Sequence, residues 1–101
     1  MTISVMHFER RDAADREELG KTAFALTQAM KTDDDVASAR FYWVDADTIV
    51  IMVDTATVSD TPPNTDVARA MFALSDLARQ TRSERWLDPG AGERTYRSAG
   101  R

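Results

Sequence analysis

Residues 38–56, SARFYWVDADTIVIMVDTA, carry the strongest apolar signal in the chain. Two runs rich in Phe, Tyr, Trp, Val and Ile flank the turn formers Asp45-Ala46-Asp47-Thr48. This predicts a β-hairpin over Ala39–Thr55. Neither run alternates cleanly. Ile49-Val50-Ile51-Met52-Val53 is apolar at every position, so both faces of that strand require cover.

Thr2–Glu9 reads as a first strand, with Ile3, Val5, His7 and Glu9 on one face and Ser4, Met6 and Phe8 on the other. Asp12 or Asp15 can cap the segment that follows, and Glu17 and Glu18 suit a helix N-terminus. Leu19, Ala23, Leu26 and Met30 recur at helical spacing, which predicts an amphipathic helix to about Lys31. Pro62-Pro63 marks a loop, because proline cannot pair within a central strand. Asn64, Thr65 or Asp66 can cap a second helix, whose stripe is Val67, Ala70, Met71, Leu74, Leu77 and Ala78. Pro89-Gly90-Ala91-Gly92 is a turn, and Glu93–Ser98 reads as a weak last strand or a tail.

The order is β-α-β-β-α with a sixth element at the end. A right-handed crossover through the first helix makes strands one and two parallel but not adjacent, with strand three between them. Both helices then cover the same face of an antiparallel sheet. The predicted fold is α+β, a ferredoxin-like two-layer sandwich over residues 1–92, with 93–101 a short edge strand or a flexible tail.

A two- or four-residue hairpin turn pairs Trp43 with Val50 and Phe41 with Met52, and paired residues share a face. One face then carries Phe41, Trp43, Val50 and Met52, joined by Met6 and Phe8. It is wholly apolar and suits the helix layer. The other carries Arg40, Tyr42, Val44, Ile49, Ile51 and Val53, joined by Ile3, Val5 and His7. Leaving its aliphatic side chains in water would forfeit roughly 1.5–3 kcal/mol each. Such a patch marks an interface or a ligand groove. A one-residue slip in the hairpin would invert the relation between its two strands.

At 101 residues the chain is long enough for one domain with one core. Its helices can cover only one side of the sheet, so a second copy, a ligand, or both are expected on the other. The net charge of −4 argues against a nucleic-acid partner, which requires a basic footprint. The absence of cysteine excludes disulfides and thiol chemistry. No apolar run approaches the ~20 residues of a membrane span. The N-terminal stretch lacks the basic and apolar regions of a signal peptide, so a cytoplasmic location with no membrane partner is expected.

A β-α-β-β-α-(β) chain of this length, with the Ala39–Thr55 hairpin, Leu19 in the helix after strand one, and a sheet apolar on both faces, resembles the dimeric α+β barrel superfamily. The resemblance implies that two ferredoxin-like sheets pack face to face around a cavity. The superfamily includes cofactor-independent monooxygenases of the antibiotic-biosynthesis type, haem-degrading enzymes, stress-responsive proteins and ligand-sensing domains. Haem-degrading members use an asparagine on strand one and a histidine on helix one. This chain departs from that pattern. Its strand one carries His7, its first helix has no histidine, and its single asparagine is Asn64.

His7 is the only histidine. On a cavity-facing side it serves as a general base near neutral pH; otherwise it is a hydrogen-bonded structural side chain. Arg40 and Tyr42 can bind a polar or anionic group, with Ile51 lining the same site. The plainer alternative pairs Arg40 with Asp54 or Glu9 and buries the phenol. Trp43 is expected in the helix-side core. Asp33-Asp34-Asp35 lacks the spaced ligands of a calcium loop and reads as a solvated helix end. Arg79, Arg82 and Arg85, with Arg94, Arg97 and Arg101 beyond, form a basic cluster that reads as a solvated face or an acidic-partner surface. No metal-ligand set, phosphate loop or catalytic triad is present, so no cofactor is expected. The expectation is a homodimer that binds a small, mainly hydrophobic molecule, either as a cofactor-independent monooxygenase or isomerase, or as an accessory dimer with a filled core.

Overall fold

A computed structural model describes residues 2–56 and 64–87. The order is β1 (Thr2–Arg10), α1 (Arg16–Met30), β2 (Val36–Trp43), β3 (Thr48–Thr55), α2 (Thr65–Leu77) and β4 (Ala78–Leu87). The strands form one antiparallel sheet in the order β2-β3-β1-β4. Strand three does lie between one and two, as the right-handed crossover requires. The chain is therefore an α+β ferredoxin-like sandwich.

Helix starts follow the capping residues. The Asp15 carboxylate accepts from the Glu17 N–H, and Glu17 and Glu18 occupy the positive first turn of α1. The Asn64 side chain accepts from the Val67 N–H at 2.9 Å and starts α2. At the other end of α2, Ala78 is already extended, so helix passes into strand with no loop. Arg11 satisfies the carbonyls left open there. Its N–H donates to Leu77 O at 2.9 Å and its Nε to Ser75 O at 3.0 Å.

The β2–β3 hairpin differs from the sequence expectation by one residue. The Val44 N–H donates to Thr48 O at 2.9 Å, so Asp45-Ala46-Asp47 form an odd-length turn within that bond. The Asp45 carboxylate accepts the Asp47 N–H at 2.9 Å, and this bond holds its pKa below the ordinary aspartate value. Arg10 clamps the turn to the end of β1: Nη2 donates to Asp47 Oδ1 at 2.6 Å and Nη1 to Ala14 O at 2.7 Å. Trp43 consequently pairs with Ile49, Phe41 with Ile51, and Tyr42 with Val50.

That register sends Ile49, Ile51 and Val53 into the helix-side core, with Val50 and Met52 on the opposite face. The strand-two and strand-one assignments hold: Phe41, Trp43, Met6 and Phe8 pack with the helices. Ile49, Ile51, Leu19, Leu26 and Leu74 are fully buried. Trp43 also carries the Arg16 guanidinium 4.2 Å from its ring centroid.

The last strand is the second correction. The segment ARQTRSERWL, read as the end of a helix stripe plus a basic surface cluster, is β4 paired with β1. Its register shifts between His7 and Phe8, which leaves Thr81 without a partner. This bulge places Arg79 opposite Glu9 and Arg82 opposite His7 on one face, although they are three residues apart; Arg85 faces the helix side. The tail expected at 93–101 lies outside the described residues, as does the proline loop.

Candidate functional site

Both helices lie on one side of the sheet, and no described element covers the other. The open face is built from Ile3, Val5, His7 and Glu9 of β1; Thr48, Val50, Met52 and Asp54 of β3; Ser38, Arg40 and Tyr42 of β2; and Arg79, Arg82, Glu84 and Trp86 of β4. The two central strands give an apolar middle of Ile3, Val5, Val50 and Met52. The edge strands give a charged and aromatic margin. Val5 sits between Met52 and Glu84, and Val50 between His7 and Tyr42. These longer neighbours leave the two valines 2% and 8% exposed.

His7, Arg40 and Tyr42 share this face, as the sequence indicated. His7 and Tyr42 flank Val50 in one cross-strand row, two strand spacings or about 10 Å apart. Ile51 does not join them. It is fully buried against the helices, because the odd-length turn rotates the whole of β3 by one position. It cannot line a site on the open face.

Arg40 is held in place by its neighbours. Its Nη1 donates to Asp54 Oδ1 at 3.2 Å and to Ser38 Oγ at 3.0 Å, and Ser38 Oγ donates to Asp54 Oδ2 at 3.0 Å. Burial works against the guanidinium charge. The Asp54 hydrogen bond and charge outweigh it, with a smaller contribution from the Tyr42 hydroxyl, and raise the Arg40 pKa above its ordinary value. The arginine stays cationic with one edge committed to the protein.

A second polar group was not found from the sequence. Glu84 accepts from both Arg82 Nε and Trp86 Nε1, the latter at 3.0 Å. Trp86 is 46% exposed and stands opposite Ile3. Its signal is weak in the chain, because RSERWL has no apolar alternation. At the end of this face, Glu9 and Arg79 contribute to a cleft of about 330 Å³ shared with Arg10, Arg11 and Asp12. The cleft does not include His7, Arg40 or Tyr42. An apolar cleft of about 360 Å³, lined by Ala68, Met71, Phe72 and Ser75, lies on α2 away from the sheet face. No helix among the described residues is long and apolar enough to cross a membrane.

No protein-family model and no curated protein matches the chain. Solved structures do. A protein of unknown function from Bacteroides thetaiotaomicron, described as a candidate oxidoreductase, superposes with a TM-score of 0.67 at 16% identity; the match covers 84% of this chain and 95% of that one. A candidate antibiotic biosynthesis monooxygenase from Deinococcus radiodurans gives 0.65 at 15% identity, covering 87% and 92%. A dimeric protein of ferredoxin-like fold from Bacteroides fragilis gives 0.62 at 9% identity, covering 86% and 96%. At these identities the likeness speaks for architecture. The chain has a ferredoxin-like fold.

Proposed function

We propose that the chain forms a homodimer through its open sheet face and holds a small, mainly hydrophobic molecule between the two sheets. The observation that carries this reading is the uncovered face itself: an apolar centre of Ile3, Val5, Val50 and Met52 inside a polar margin. That is the make-up of both an interface core and a small-molecule pocket. The described dimer of Bacteroides fragilis and the candidate monooxygenase of Deinococcus radiodurans share the architecture. In the enzymatic form, a cytoplasmic cofactor-independent oxygenation or isomerisation, His7 takes a proton from the bound molecule. Arg40 and Tyr42 hold the oxygen on which negative charge develops. The second reading, an accessory dimer with a filled core, rests on Val5 and Val50, which their own neighbours leave only 2% and 8% exposed and so offer little apolar surface to a ligand.

Sedimentation velocity at micromolar concentration tests the dimer, which should run at twice the 11.3 kDa chain mass. Titration with an environment-sensitive apolar dye tests the pocket. Saturable binding that weakens in Tyr42→Phe supports it. A dimer that binds no dye leaves the accessory reading standing.

A further inference from the structure

We infer that Trp86 is the anchor of the open face, and that what it docks against is a second copy of this chain. This rests on the homodimer reading above and adds the side chain that holds the copies together. Trp86 is 46% exposed, at the margin of a face whose central valines are nearly buried. Its one polar atom is already satisfied, because the indole N–H donates to Glu84 at 3.0 Å. Glu84 in turn is fixed by Arg82. Burying the remaining indole surface therefore strands no donor, and the ring is held before any partner arrives. Such preorganised aromatic side chains are the usual centres of binding energy.

The charges of the face identify the occupant. Arg40 pairs with Asp54, Arg79 with Glu9 at 3.5 Å, and Arg82 with Glu84. Three arginines meet three carboxylates, so the face is formally neutral with His7 uncharged, while the whole chain carries −4. A strongly acidic or basic partner gains nothing there, whereas an identical neutral face meets no like-charge repulsion. The area also fits. Four strands about 4.8 Å apart, each 8–10 residues long, present roughly 500–600 Å² in projection. Side-chain relief brings that toward the ~800 Å² per partner of a standard stable interface.

The experiment is sedimentation velocity over a concentration series on the full-length protein and its variants Trp86→Ala, Trp86→Phe and Arg85→Ala, each checked by circular dichroism for an unchanged fold. Trp86→Ala should weaken self-association about tenfold or more, and Trp86→Phe less, because a ring remains. Arg85, on the opposite face of the same strand, serves as the control and should leave the constant unchanged. Fluorescence gives an independent readout. Dilution through the dissociation constant should red-shift the wild-type emission, and Trp86→Phe should abolish that shift, since Trp43 stays packed under the helices. A wild-type dimer whose constant is unchanged in Trp86→Ala overturns the anchor while leaving the homodimer intact. A wild-type protein that sediments as a monomer throughout overturns both.

Discussion

Arg40 and Asp54 are joined across the β2–β3 pair, Nη1 to Oδ1 at 3.2 Å, with Ser38 bonded to both. The trio sits on the open face next to a register shift in β2, between Val36 and Ser38. It fixes a cation beside the Tyr42 hydroxyl.

Asp54→Ala should therefore leave Arg40 and Ser38 without their acceptor. Because the pair is partly exposed, the expected loss is modest, about 0.5–1.5 kcal/mol. Urea unfolding should show a lower midpoint with an unchanged slope. A larger loss would mean that the trio braces the β2 edge as well as positioning Arg40.

Neighbouring positions on β3 should behave in opposite ways. Ile51 is in the core, so Ile51→Ala should cost about 2–5 kcal/mol, and Ile51→Asp should unfold the chain. Met52 is on the open face, so Met52→Asp should keep the fold and weaken the proposed self-association. Thermal melts combined with sedimentation separate the two effects. The reverse pattern would contradict the odd-length hairpin turn.

Strong acidification should loosen that turn. The Asp47 N–H bond holds the Asp45 pKa below its ordinary value. A carboxylate depressed in the folded state contributes stability above its unfolded pKa of about 3.9, lost as pH falls through the folded value. Amide exchange at Asp47 should accelerate below about pH 4 relative to the intrinsic rate, and Asp45→Ala should show the faster exchange at all pH values. Protection that does not change with pH would remove the carboxylate from the account.

If the cavity reading holds, Tyr42→Phe should weaken ligand binding by about 0.5–1.5 kcal/mol, one hydrogen bond. His7→Ala should abolish any pH-dependent turnover while leaving the melting temperature nearly unchanged. Equal activity in His7→Ala would assign the proton transfer elsewhere.

The fold was legible where burial is one-sided. Leu19, Leu26 and Leu74 at helical spacing, and the caps at Asp15 and Asn64, are local signals that the sheet leaves intact. The hairpin was legible but its register was not. Ile49–Val53 is apolar at each position, so either face could have been the inner one, and a single hydrogen bond from Val44 to Thr48 decides it. That one position is why Ile51 leaves the face that His7, Arg40 and Tyr42 share. β4 was hidden for a different reason. An edge strand with one neighbour has little to bury, and its arginines at every third residue imitate a solvated helix until the Thr81 bulge is known. Trp86 is hidden with it, because RSERWL has no apolar alternation.

The absence of any loop between Leu77 and Ala78 has a mechanical consequence. Two elements joined by a hinge can tilt separately, whereas here the last turn of α2 and the first residue of β4 share a peptide bond, Arg11 ties the helix end to the residue after β1, and Ala78 pairs with Arg10. Strand and helix form one bent lever. A displacement of β4 by whatever settles on the open face should therefore pull on the last turn of α2, where Ser75 borders the apolar cleft.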